Sequence, residues 1–156
     1  MYTWTRAQGT DVADIVAMAQ DHFETEADTV WTIDPHTYAY NVAMTVVSQM
    51  YNPQDALLMT ARDEQGKLIA YTWAARGERA VWSNDEMVVI RIAHLDLSLP
   101  LKGRVRLIQD MIGIWETWAR VIGVPVICST TMRGDQAGFM RIHERAGYSI
   151  RGSIAY

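Results

Sequence analysis

Cysteine is almost absent from this chain. Cys128 stands alone among 156 residues, which excludes an internal disulfide, and with only four histidines there is no Cys/His cluster of metal-ligand spacing. A reducing, cytoplasmic compartment and no metal are the expectations. Positive charge is also in deficit, 14 Lys and Arg against 18 Asp and Glu for a formal charge of −4. That balance argues against nucleic acid as a partner, since a duplex footprint needs clustered cations over a large surface. No apolar run approaches the roughly 20 residues that span a bilayer, and Met1-Tyr2-Thr3-Trp4 does not open a secretory leader, so neither a membrane partner nor processing is expected. What is present, 49% hydrophobic and 21% charged residues, suits a single domain over residues 1–156 that buries its own core.

The apolar pattern moves between helical and strand periods. Tyr2 to Arg6 reads as a strand. Thr10, followed by Asp11 and Asp14, starts a helix over Asp11 to Phe23 on the stripe Val12, Ile15, Val16, Ala19 and Phe23. An acidic, aperiodic stretch from Glu24 to Ile33 leads to Asp34-Pro35, an N-cap and first helical residue. This second helix ends before Asn52-Pro53, with Tyr38 or Ala39, Val42, Val46 and Met50 facing inward. Ala56 to Ala61 and Leu68 to Arg76 form a hairpin around the polar turn Arg62 to Lys67. In the strand Asp85 to Leu99, apolar residues fall first at even positions (Val88, Ile90, Ile92) and then at odd ones (Ala93, Leu95, Leu97, Leu99). That slip predicts a bulge near Ile92-Ala93. A long helix from Leu101 to Ile122, a strand Val126 to Thr130, a helix Asp135 to Ala146 and a strand Tyr148 to Tyr156 complete the order. Antiparallel strands first and a βαβ crossover later imply an α/β (α+β) fold, a central mixed sheet flanked by helices.

Between the fourth strand and the long helix lies Pro100-Leu101-Lys102-Gly103-Arg104-Val105-Arg106. The first N–H groups of a helix have no internal partner and carry partial positive charge, and Lys102, Arg104 and Arg106 add full charges to the same turn. Cations at a helix N-terminus oppose the dipole unless an anion is present. A phosphate or pyrophosphate site is therefore the reading, a basic helix start without a ligand the alternative.

These features together resemble the GCN5-related N-acetyltransferases (GNAT) over essentially the whole chain and in element order. The family hairpin is matched by Asp63-Glu64-Gln65-Gly66-Lys67-Leu68-Ile69-Ala70-Tyr71. Its acetyl-CoA loop, Q/R-x-x-G-x-G/A, falls on Pro100 to Val105, where Gly103 is retained while Pro100 and Val105 depart from the pattern. Its last helix and Gly-Phe pair fall on Gln136 to Tyr148, with Gly147-Tyr148 in the Gly-Phe place. The resemblance implies an acyl-CoA N-acyltransferase fold with a bulged and splayed fourth strand. It also implies acetyl-CoA (coenzyme A) held by backbone groups around Leu95 and Leu97 and by the turn Leu101, Lys102, Gly103, Arg104, Val105 and Arg106. The amine partner, a small molecule or peptide, would attack the thioester directly. Arg91 stands where several members carry a general-base glutamate, and His143 where a tyrosine commonly protonates the thiolate.

For the chemistry, His143 is a candidate acid, its alternative a packed or solvated histidine. His94 and Asp96 share one strand face by spacing and form a candidate base pair, the alternative being the polar side of a half-exposed strand. Glu24, Glu26 and Asp28 would steer an ammonium substrate, or form a solvated connection. Pro100, Val105 and Arg91 leave open a second class of function, a catalytically inactive GNAT-like structural or regulatory binding protein. The run Phe139 to Tyr148 is similar to the last helix of small GNAT-like phage virion proteins. A homodimer is a further expectation.

Overall fold

The computed structural model describes residues 1–134, 136–152 and 155. Its elements are β1 (Tyr2–Arg6), α1 (Val12–Thr25), α2 (Pro35–Tyr51), β2 (Ala56–Asp63), β3 (Leu68–Arg79), β4 (Glu86–Leu95), α3 (Leu101–Ile122), β5 (Val126–Ser129) and α4 (Ala137–Arg145). Local chemistry sets several boundaries. Asp34 caps α2 by accepting the His36 N–H at 3.0 Å, with Pro35 at the first helical position. Gly66 closes the β2–β3 turn at φ +81°, while the Asp63 carboxylate accepts the Gln65 and Lys67 N–H groups. Gly123 ends α3 in the left-handed region, φ 72°.

The sheet runs in the order β1-β2-β3-β4-β5, antiparallel except for the parallel β4–β5 pair. It is the mixed sheet expected. Apolar clusters cover both faces. One gathers Leu57, Val88, Leu95, Met111 and Trp115 beneath α3 and α4, and the other joins Ile15, Ala19, Val42, Val46, Leu58 and Tyr71 beneath α1 and α2. Covered on both sides, β3 is buried at five consecutive residues, Leu68 to Thr72. Trp115 donates its indole N–H to Thr72 Oγ1 at 2.8 Å, which satisfies a polar strand residue inside the core.

The fourth strand departs from regularity as predicted, but earlier. Trp73 pairs with Ile92 and Ala74 with Ile90, so Arg91 is the extra residue of the bulge. β5 pairs with β4 only from Met87 to Ile90, after which the two strands diverge.

Four expectations are corrected. The strand ends at Leu95, not Leu99, because Asp96 turns the chain by accepting the Ser98 N–H and Oγ–H, which places Leu97 and Leu99 in a turn. Tyr148 to Gly152 form no strand, and Ser153, Ile154 and Tyr156 lie outside the described residues. The last helix begins at Ala137, and Asp135 is also outside the described residues. On α2, Met50 faces out and Gln49 faces in, because the Gln49 amide bonds the backbone of Ala7 and Leu58 and so tolerates burial.

Candidate active site

Where β4 and β5 part, a cleft opens between Ile90–His94 and Thr130–Arg133, lined also by His22 of α1, by Glu26 just past the end of that helix and by Phe139 of α4. Asp96 donates its N–H to the Ile69 carbonyl on β3, so the alternate residues Ala93 and Leu95 present their backbone groups to the edge that β5 leaves unpaired. Two side chains occupy that edge. The Arg133 guanidinium donates to the Ala93 carbonyl at 2.9 Å, and His22 Nε2 lies 2.7 Å from the Leu95 carbonyl oxygen. Glu26 ties them together, 2.9 Å from Arg133 Nη1 and 3.3 Å from His22 Nδ1. An unpaired edge in the interior needs such partners, since a buried backbone group without one costs about 1–3 kcal/mol. With them in place the cleft holds a free volume of only about 70 Å³.

His94 sits on the same wall. Its ring stacks on His22, centroids 4.1 Å apart and 7° from parallel. Its Nδ1 is 2.8 Å from Tyr71 Oη, which is 2.9 Å from Tyr38 Oη on α2. A hydrogen-bonded chain thus runs from the cleft wall along the sheet face that α1 and α2 cover. Burial pushes the His94 pKa well below the ordinary histidine value, with His22 and Arg133 adding repulsion, and burial lowers His22 as well, against the pull of its Leu95 bond and Glu26. Burial raises Tyr38 to about 12 and Tyr71 well above its ordinary value. All four groups are neutral near pH 7.

Beyond the turn that ends β4, α3 begins. Pro100 supplies no side-chain cap, and Arg104 is the first residue whose N–H closes a helical bond, 3.1 Å to the Pro100 carbonyl. A Cβ built on Gly103 meets nothing within 4 Å, so the fold itself does not require glycine there. Arg104 Nε is buried without a partner among the described residues, and Arg104 is close enough to Arg133 to depress its pKa. Uncapped amides, open space at Gly103 and an unpaired guanidinium nitrogen fit a phosphate group.

Three solved structures superpose on this chain over all of its length. An aminoglycoside 6'-N-acetyltransferase solved with a CoA-linked bisubstrate analogue gives a TM-score of 0.75 at 10% identity, with 96% of that chain covered. The aminoglycoside 6'-N-acetyltransferase of Acinetobacter baumannii gives 0.73 at 13%, also with 96% covered. A predicted acetyltransferase with acetyl-CoA from Clostridium acetobutylicum gives 0.73 at 12%, with 95% covered. The chain has the GNAT acetyltransferase fold. No family model matches the sequence, and no curated protein does. Among the described residues no helix is long and apolar enough to cross a membrane, and no cluster of three or more metal-ligating side chains occurs.

Within the GNAT fold, the expected site residues separate. His94 and Glu26 reach the cleft. Asp96 does not pair with His94, because β4 has ended. Burial alone would raise its pKa, but bonds from Lys67 Nζ and Ser98 outweigh that and hold it below the ordinary carboxylate range. His143 is a packed histidine, 1% exposed. Nδ1 is 2.9 Å from the Phe139 carbonyl and Nε2 is 3.0 Å from Ser129 Oγ, and the ring stands behind Phe139 rather than in the cleft. Arg106 turns from the helix end to lie 5.7 Å over the Tyr2 ring, leaving Lys102 and Arg104 beside the first-turn amides. Leu101 and Lys102 are exposed and Val105 half-buried at that end, whereas Leu97 lies in the turn beyond β4. Glu24 and Asp28 are exposed and line no part of the cleft.

Sequence reasoning missed His22, Tyr38, Tyr71 and Arg133. His22 was findable, since Ile15, Ala19 and His22 continue the buried stripe of α1 at helical spacing. Arg133 follows a short strand in an irregular segment without periodicity, and nothing local marks it.

Proposed function

We propose that this chain binds acetyl-CoA and transfers its acetyl group to an amine. The observation that carries the reading is the parting of β4 from β5 together with an uncapped, basic start of α3 whose Arg104 lies close to Arg133 of the cleft. The diphosphate of the coenzyme fits the Leu101–Gly103 amides and Arg104, and its acyl arm would follow the open edge of β4 at Ala93 and Leu95. A free volume of about 70 Å³ is short of the roughly 300 Å³ at which ligand pockets begin, so Arg133 has to leave Ala93 and Glu26 before the arm enters. That movement also uncovers the Glu26 carboxylate for an ammonium group.

In the transfer itself, the amine nitrogen bonds to the acetyl carbon, the carbon–sulfur bond breaks, and the thiolate takes up a proton. His94 would receive the proton that the amine gives up. A buried imidazolium is disfavoured, so the proton would pass on from His94 to the departing thiolate, while Nδ1, donating to Tyr71 Oη within the Tyr71–Tyr38 chain, would steady the transient charge. Asp96 and His143 take no part.

Calorimetry with acetyl-CoA, followed by thiol release over a panel of aminosugars, polyamines and peptide N-termini, tests this. Binding with thiol release supports transfer. Binding without release from any amine supports instead the reading as a non-catalytic binding protein, which the exposed Arg91, paired to Glu78 where a base would stand, favours. Absence of binding overturns acetyl transfer and favours the catalytically inactive structural or regulatory reading.

A further inference from the structure

Helix α2 carries no Asp, Glu, Lys or Arg among its 17 residues. Its inner face buries Val42, Thr45, Val46 and Gln49, yet its outer face is the more apolar of the two. Tyr40 is 65% exposed, Met44 49%, Val47 47% and Tyr51 78%, at successive spacings of four, three and four residues, with Met50 beside them at 68%. That spacing forms one straight seam along a helix, the pattern by which two helices interlock at a shallow crossing angle. A helix that is apolar all round is covered all round. Here one side is open.

Charge decides what covers it. Helices that lie on membranes present Lys and Arg to the lipid headgroups, whereas the nearest charges flanking α2 are Asp34 and Asp55. A strongly charged partner would find nothing to complement. Two copies of this chain, each of formal charge −4, repel one another over most of their surface, and an uncharged face is where they meet without apposing like charges. A two-fold contact sets the seam against itself, so each tyrosine and methionine meets an apolar neighbour. Two tyrosines of 150–250 Å² each, two methionines and a valine at these exposures offer roughly 500 Å² per copy, about 1,000 Å² for a pair, the size at which specific interfaces begin. We propose that the outer face of α2 is the two-fold interface of a homodimer.

The proposal stands apart from acetyl transfer, and sedimentation velocity of the full chain tests it, at concentrations up to about 100 μM because association depends on protomer concentration. The wild type should sediment as twice its 17.7 kDa mass. Val47→Glu should sediment as a monomer with an unchanged circular dichroism spectrum. Met44→Lys and Met44→Glu should each be monomeric alone and dimeric when mixed, since the seam then apposes opposite charges. A monomeric wild type, or a dimer that survives Val47→Glu, overturns the proposal.

Discussion

Replacing Gly103 by alanine separates what the fold needs from what the ligand needs. Gly103 is the third residue of α3 with ordinary helical backbone, and a Cβ there touches nothing within 4 Å, so the substitution introduces no clash. Glycine within a helix costs about 0.5–1 kcal/mol relative to alanine, because the unfolded chain loses more freedom on ordering. Gly103→Ala should therefore stabilise the free protein by that amount, and at 2–4 °C per kcal/mol for a chain of this size the midpoint rises by about 1–4 °C. Acetyl-CoA binding should move in the opposite direction. The methyl fills the space through which a diphosphate approaches the first-turn amides, and each hydrogen bond to a charged group is worth about 1.5–3 kcal/mol, so the loss of one weakens Kd by about ten-fold or more. Differential scanning calorimetry and isothermal titration on the same preparation read both numbers. A variant that melts higher and binds acetyl-CoA as tightly as wild type would show that the start of α3 is not the phosphate cradle.

Three of the four histidines have pKa values lowered by burial, His94 most strongly. Below about pH 6.5 the unfolded chain takes up protons that the fold refuses, so stability falls as pH falls, at up to about 1.4 kcal/mol per pH unit for each such group. Melting temperatures flat from pH 7.5 to pH 5 would refute the neutral, buried imidazoles. Tyr71→Phe removes the hydroxyl between Tyr38 and His94. It should cost about 1–3 kcal/mol of stability and lower turnover on the order of 10²-fold while leaving acetyl-CoA affinity unchanged; unchanged turnover refutes the support of His94 by this hydrogen bond. Arg133→Ala should speed acetyl-CoA association in stopped-flow measurements, and a slower rate would mean that Arg133 recruits the coenzyme rather than blocking it. Tyr148 Oη is buried without a partner among the described residues, so Tyr148→Phe should raise the melting temperature, and a fall would point to a bond at that hydroxyl.

Local sequence determined the element order from β1 to α4, the mixed sheet, the β2–β3 hairpin, the cap of α2, the uncapped basic start of α3 and the irregularity of β4. Each is written in neighbouring residues as a period, a turn former, a phase slip or a charge, because helices and strands repeat at fixed intervals and their ends need specific partners. Tertiary structure decided which side chains meet. Spacing on a strand set His94 beside Asp96, but the chain turns one residue too early for that pair, and His94 instead meets Tyr71, Tyr38 and His22 from three other elements. His143 lies where a resemblance would seat a catalytic group, yet its two ring nitrogens are bound by Phe139 and Ser129 beneath the cleft. A backbone edge left open at Ala93 has to be satisfied by whatever lies near it in space. Arg133, 40 residues further along the chain, does so, and no local pattern encodes a contact of that range.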